Sequence, residues 1–378
     1  GAGTCPPDAR WVAGSRPWPV GMDRETAPAS LQWLAGSGYV VMRDHARDDW
    51  AMFDVGDIAH GVPTDDLASA AHGHADLLGF ELLAAGAPRL IDPGFVTYNG
   101  PVAWHRHFRD THAHNALVVD DRSQATYRGR LTWSHGATAR LTHAVGGEVF
   151  TYVEGAHDAY VRGDLRVSHA RALLWVRPGV WIVIDRLTGT GTHVLDRFFH
   201  FAPGQATARP HGARGAEVNG VALRVDCLEA DVDCRLSTGA PEPDGGWVAT
   251  HYEEKVPAAV LRARVRRDVP TTLVTLLAAD AGDGPHWDVT SPTPRLVWPD
   301  GRALVLRGED SDGQALESDA HCAAVLLAAD GRPTAAIGIG ATRLAWCGRT
   351  LYTATSPTDV LLHEAGGTLV PGPAQVLR

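Results

Sequence analysis

Apolar and polar positions alternate with a period of two along most of the chain, which predicts strands rather than helices. Tyr39-Val40-Val41-Met42, Trp50-Ala51-Met52-Phe53, Leu117-Val118-Val119 and Val149-Phe150-Thr151-Tyr152-Val153 each read as one strand. Residues 173–187 predict a hairpin, LLWV then VWIVID, turning at Arg177-Pro178-Gly179. Two further hairpins are signalled by Asp-Gly turns, at Asp300-Gly301 within 296–306 and at Asp330-Gly331 within 323–339. Turn residues return about every 8–12 positions, the spacing of a sandwich or barrel. Helical signals are few: 27–34 and 65–72 each allow a turn or two. The expected fold class is all-β, an antiparallel sandwich or barrel. Boundaries are signalled at 206–217 and 239–246.

With 378 residues, 44% hydrophobic and 21% charged, the chain has the composition of a globular protein with a sizeable core. No run of 18 uncharged apolar residues occurs, so no transmembrane helix is predicted. A formal charge of -10 argues against non-specific nucleic-acid binding. Among 34 basic residues, Lys255 is the only lysine. The five cysteines lack CxxC spacing and suggest neither a disulfide scaffold nor a thiolate zinc site. The start has neither a basic n-region nor an apolar h-region and no initiator Met, so the chain reads as processed or as a fragment.

The nineteen histidines crowd between His45 and His200. Read as a strand, 72–82 places His72, His74, Asp76, Leu78, Phe80 and Leu82 on one face. Two imidazoles at the polar end of a buried layer are costly unless a metal or a carboxylate satisfies them. Asp92 and His114 follow, and His74, Asp92 and His114 make a two-His, one-carboxylate set that suits zinc. The same set suits Fe(II) on a cupin-like barrel, although Gly79 stands where that fold's glutamate is expected. Tyr98-Asn99-Gly100 and Trp104-His105-Arg106-His107-Phe108-Arg109 can line a cleft, with Arg106 and Arg109 able to hold a carboxylate. The plain alternative is an exposed loop. The clusters 157–160 and 168–171 suit buried supporting roles at least as well as catalysis. Trp133, Trp175, Trp181 and Trp247 can stack on sugars, but alternating aromatics in strands more often form core.

The ordered series His72-Gly73-His74-Ala75-Asp76-Leu77-Leu78-Gly79-Phe80-Glu81-Leu82, Asp92-Pro93-Gly94, Thr97-Tyr98 and Ala113-His114-Asn115 resembles the heparinase II/III-like polysaccharide lyases. The lead-in at 39–43 and 53–56, and the runs at 157–160, 183–186 and 201–204, are similar again. The resemblance is strong over 38–204 and extends more loosely through Gly246-Trp247 and Tyr252. It implies a β-sandwich that follows an N-terminal α/α toroid, with 1–37 as the linker from that toroid. Residues 38–240 are then the sandwich, and 241–378 its continuation or a small β domain. It implies β-elimination on an anionic uronate-containing polysaccharide, His72 as the catalytic sandwich histidine, and His74, Asp92 and His114 as ligands of one structural zinc. Tyr98, His105, Arg106, His107 and Arg109 fall where substrate approaches. The toroid carries the catalytic tyrosine and has no counterpart here, so activity of these residues alone is the open question. Neither nucleic acid nor membrane is an expected partner. A periplasmic or secreted location accords with the substrate class, and a homodimer is a further expectation. The competing reading is a non-catalytic, zinc-stabilised carbohydrate-binding or structural sandwich.

Overall fold

The structure, a computed structural model, describes residues 30–58, 72–134, 136–161, 164–203, 208–211, 214–218, 223–240, 245–279, 284–289, 294–307 and 316–377. It opens with β1 (Leu31–Leu34), β2 (Tyr39–Asp44), β3 (Asp49–Asp54), β4 (Phe80–Ala84) and β5 (Ala87–Leu90), an antiparallel sheet paired in that order. A short helix α1 (Val102–His107) and a 3-10 turn (Thr111–Ala113) follow. Next come β6 (Leu117–Val119) and the ribbon of β7 (Tyr127–Gly129) with β8 (Thr132–Trp133). The long strands are β9 (Ala139–Gly146), β10 (Phe150–His157), β11 (Ser168–Val176), β12 (Val180–Thr188) and β13 (Thr192–His200). Then run β14 (Ala208–His211), β15 (Gly215–Val218), β16 (Leu223–Cys227) and β17 (Asp233–Thr238). The β18 (Trp247–His251) and β19 (Glu254–Pro257) hairpin precedes β20 (Ala259–Asp268) and β21 (Thr271–Ala279). The remainder comprises β22 (His286–Asp288), β23 (Arg295–Val297), β24 (Ala303–Arg307), β25 (Leu316–Ser318), β26 (Cys322–Leu327), β27 (Pro333–Trp346), β28 (Arg349–Ala365), β29 (Thr368–Pro371) and β30 (Gln375–Val376).

A nine-stranded sheet, β14-β15-β16-β21-β12-β11-β10-β9-β30, is the middle layer. One face carries Leu173, Trp175, Trp181, Val183 and Leu277, packed with Phe53 and Leu82 of the first sheet and with Phe199 and Leu261 of the β17-β20-β13-β6 sheet. The other face, with Leu174, Ile182, Ile184 and Leu276, packs on Leu304, Ala324, Ile337 and Ile339 of the eight-stranded sheet of β22 to β29. Burial on both faces explains the unbroken apolar run of the β11–β12 hairpin. Its directly opposed Trp175 and Trp181 stack with centroids 5.2 Å apart. Each such side chain removed from water contributes roughly 1.5–3 kcal/mol.

The hairpins expected at Arg177-Pro178-Gly179, Asp300-Gly301 and Asp330-Gly331 form as β11–β12, β23–β24 and β26–β27. The helix expected at 27–34 does not form within the described residues: Leu31–Leu34 is β1, with Leu31 opposite Met42 and buried. Four residues of local helix preference lose to a ready sheet edge and a buried leucine. The helix expected at 65–72 lies outside the described residues, apart from the bend at His72. The first boundary signal, 206–217, overlaps β14 and β15, and the second, 239–246, lies between β17 and β18; β12 pairs with β21 and β13 with β20 across both. The strand expected over 72–82 is real only from Phe80. Gly79 N–H donates to the Asp76 carbonyl at 2.8 Å and Leu78 has φ of 59°, so a tight turn breaks the alternation. A Cβ on Gly79 would lie 2.7 Å from that carbonyl, so no larger residue fits the turn. His72 and His74 therefore do not share a strand face with Leu78, and the layered open sheets are not the barrel that a cupin-like oxygenase requires.

Candidate metal centre and cleft

The irregular segment 72–79 is held by buried polar groups rather than by a ladder. The Gly73 carbonyl accepts from Arg109 Nε at 3.1 Å, Arg109 Nη2 at 2.9 Å and Trp133 Nε1 at 3.1 Å. Arg109 also donates to the Arg130 carbonyl at 2.7 Å and lies over the Trp133 ring. Arg130 in turn holds the Tyr98 and Gly100 carbonyls at 2.5 and 2.6 Å. Further along, the Gln124 amide pairs with both backbone groups of Leu77 at 2.8 and 2.9 Å. Both neighbours of Gly73 carry candidate chemistry, so this clamp sets the position of two imidazoles at once.

One of them, His74, meets Asp92 and His114, with one ligand atom from each lying within 4.8 Å of the others. His114 Nδ1 is 2.6 Å from Asp92 Oδ2, and Asp92 Oδ1 accepts the Gly94 N–H at 2.8 Å. Asn115, next to His114, is a staple: its amide donates to the Phe80 and Ile91 carbonyls, and its oxygen accepts the His200 N–H at 2.6 Å. Behind it, Arg171 donates to the Asn115 carbonyl at 2.7 Å and grips Asp185 at 2.6 Å. Asp185 accepts from His169 Nε2 at 2.8 Å, and His169 Nδ1 faces His157 Nε2 at 2.9 Å. The Ala159 N–H donates to His157 Nδ1, which fixes the tautomers down the chain: His157 Nε2–H donates to His169, and His169 Nε2–H donates to Asp185. The clusters at 157–160 and 168–171 are thus buried supports of the site, not surface chemistry.

Electrostatics favour a cation at the triad. Burial lowers His74 to about 3, with His114 adding to the effect. Burial opposes charging His114, but the Asp92 carboxylate overrides it and raises His114 to about 9. Burial alone would raise Asp92, yet His114 holds it down at about 2. Burial pushes Asp54 and Asp76 above the usual carboxylate range and Glu81 up to about 7, with neighbouring carboxylates adding to each shift. Four carboxyl groups around one neutral and one charged imidazole form an acidic enclave that a divalent ion relieves. His114 Nε2 is buried without a hydrogen-bond partner, a cost that ligation or reorientation around an ion removes. The donor set and the orphaned nitrogen fit zinc.

The other imidazole, His72, is exposed, and its Nδ1 is 2.9 Å from Tyr98 Oη. Tyr98 is 39% exposed and stacks on Tyr252, at the tip of the β18–β19 hairpin, with centroids 6.3 Å apart. That hairpin is tied to the 93–96 segment by Ala249 N–H to the Pro93 carbonyl and Glu253 N–H to the Val96 carbonyl.

Of the five expected substrate contacts, Tyr98 and Arg106 reach the surface, Arg106 facing Asp110 at 3.7 Å. The other three are corrected. Arg109 is fully buried against carbonyls and cannot meet a polymer. His105 is buried with Nδ1 on Tyr127 Oη at 3.1 Å, and His107 is buried beside Trp104. Desolvation lowers both imidazoles to about 4. Trp133, Trp175 and Trp181 are core, whereas Trp247 is part-exposed at the cleft. Sequence reasoning missed Lys255, Gln124 and Arg130. Lys255 alone carried a signal, as the single lysine.

A family model described as heparinase II/III-like, C-terminal, matches residues 26–298. No curated protein matches the chain. Among solved structures, heparan sulfate lyase HepC from Pedobacter heparinus superposes with a TM-score of 0.54 at 15% identity, covering 81% of this chain and 42% of that one. A structure of heparinase III gives a TM-score of 0.54 at 14% identity, with the same coverage of 81% and 42%. At such identities the likeness is one of fold, and the chain spans about two fifths of the length of these proteins.

Proposed function

The chain belongs to the heparinase II/III-like family of polysaccharide lyases, as its C-terminal β-sandwich part, and on that premise we propose that it forms one wall of a β-elimination site for a uronate-containing polysaccharide. The observation that carries the reading is the exposed His72–Tyr98 pair at 2.9 Å, adjoining a clamped backbone and a half-buried His74–Asp92–His114 triad in which His114 is the buried member. In β-elimination the C5 proton leaves, a C4–C5 double bond forms and the C4–O bond breaks, the leaving oxygen taking up a proton. An imidazole can accept or hold a proton in this sequence through either ring nitrogen. His72 is the group that does so, and Tyr98 Oη fixes its ring orientation through Nδ1, leaving Nε2 for the sugar. His74, Asp92 and His114 would hold one zinc ion, whose contribution is to lock the segment bearing His72. Burial of the Arg109 clamp serves the same end, since a rigid backbone preserves geometry on which rate depends steeply. In this reading the opposing wall, with groups that neutralise the uronate carboxylate, would come from an α/α toroid of the kind the family resemblance implies.

The test is ultraviolet detection of the unsaturated uronate end over a panel of uronate polymers. It is run on this chain and on an N-terminally extended form. Absorbing product with the extended form supports the proposal. Binding without any unsaturated product in either form favours the carbohydrate-binding alternative.

A further inference from the structure

The hairpin that carries Tyr252 also carries Lys255 and Trp247. Ala249 is opposite Lys255 in the β18–β19 register, so Trp247 and Lys255 share one face. Lys255 Nζ lies 4.2 Å from the Trp104 ring centroid and 5.0 Å from that of Trp247. The two indoles meet edge to face at 5.4 Å, and Trp247 Nε1 donates to the Ala240 carbonyl at 3.0 Å, so the cage is rigid. Aromatic faces position an ammonium but leave its charge unneutralised. The adjacent Glu254 pairs instead with His251 at 3.4 Å, and among the described residues no ion pair engages Lys255. In a chain of net charge -10 with one lysine, a part-exposed cation without a counter-charge marks a place for an external anion.

The geometry points to Lys255, caged by Trp104 and Trp247, as an anion-reading subsite that binds the carboxylate or sulfate of a sugar unit flanking the one at His72. The platform is continuous with the cleft: His72 bonds Tyr98, Tyr98 stacks on Tyr252, and Tyr252 is at the tip of the Lys255 hairpin. The exposed tyrosine faces offer stacking to the C–H face of a pyranose, while Lys255 reads its charge. This subsite rests on the reading of the cleft as a polyuronate site, but it is a claim about binding and can fail separately.

Affinity is measured on the full chain by tryptophan fluorescence and calorimetry. The probes are an unsulfated hexuronate tetrasaccharide, its carboxyl-reduced neutral form and a sulfated glycosaminoglycan tetrasaccharide. At least one anionic probe is expected to bind about tenfold or more tighter than the neutral form, with the tighter one identifying the anion. Lys255→Met is expected to raise its Kd about tenfold, and Lys255→Arg to keep it within about threefold, both with native circular dichroism. The subsite is overturned if no probe binds, if the neutral form binds equally, or if folded Lys255→Met is unchanged. Lys255-dependent binding without unsaturated product keeps the subsite and removes the elimination chemistry. Elimination by the extended form with KM unchanged in Lys255→Met does the reverse.

Discussion

Replacing Arg171 by Met removes the cation behind the candidate metal site while nearly conserving side-chain length. Arg171 makes four hydrogen bonds: Nε to Asp185 Oδ1 at 2.6 Å, Nη2 to Oδ2 at 3.3 Å, and Nη1 to the Asn115 and Leu78 carbonyls at 2.7 and 3.2 Å. At about 1.5–3 kcal/mol for each bond to a charged group, a simple sum exceeds 6 kcal/mol. The real loss is smaller, because Asp185 keeps the His169 N–H and can take up a proton. Breaking one partner of a buried pair costs roughly 3–5 kcal/mol, and that range is expected here. Asp185 is fully buried, and in the native protein Arg171 and His169 overcome its desolvation and hold it well below the usual carboxylate range. Without Arg171 its folded pKa rises above the unfolded ~3.9, so the deficit is full near pH 7 and shrinks as pH falls toward that rising pKa. Urea unfolding at pH 7 and pH 5 reads both effects. Because Asn115 and Leu78 lose an anchor, zinc affinity by chelator competition falls about tenfold or more. A loss under about 1 kcal/mol, or one that grows on acidification, would refute the reasoning.

Three other outcomes follow from the same structure. Burial lowers His74 and His200 to about 3 and His105 and His107 to about 4, so the unfolded chain protonates first. The stability these four imidazoles contribute to the metal-free protein is therefore present above about pH 6.5 and lost as pH falls from there toward 3, opposed over the same window by Glu81 with its raised pKa; a His200→Gln variant whose loss of stability on acidification is as steep as that of the native chain would contradict it. Glu154 Oε2 accepts from Tyr152, Arg186 and His321, linking the nine-stranded layer to the segment before β26. Glu154→Ala strands a largely buried Arg186 and should cost about 3 kcal/mol in guanidinium unfolding, with the double variant Glu154→Ala/Arg186→Met losing less than the sum of the singles. Zinc is expected to raise the thermal midpoint of the chelator-treated chain by several degrees, and His74→Ala to abolish the rise; an equal rise in that variant would remove the triad from metal binding.

The sheet framework was legible because both of its signals are local. Apolar strand runs and Asp-Gly or Pro-Gly turns need no knowledge of partners, so the three hairpins form as the pattern says. The donor set His74, Asp92 and His114 was nominated by residue type, and the fold brings those three together. The 104–109 run misled because WHRHFR has the polarity of a surface loop. One helical turn instead drives His105, His107 and Arg109 inward, where Tyr127, Trp104 and the Gly73 carbonyl await them. Those partners lie up to 36 residues away in sequence, beyond any local pattern. The 72–79 segment failed for a related reason: alternation persisted in residue type, but the Asp76–Gly79 turn and its clamps set the backbone.

The most direct measurement is the initial rate of unsaturated-uronate formation by the N-terminally extended protein and its His72→Ala variant, on whichever polymer the panel selects. The account predicts that loss of the proton-transfer group lowers kcat about 10²- to 10⁴-fold while folding remains native. A variant that retains its rate would contradict the placement of catalysis at the His72–Tyr98 pair.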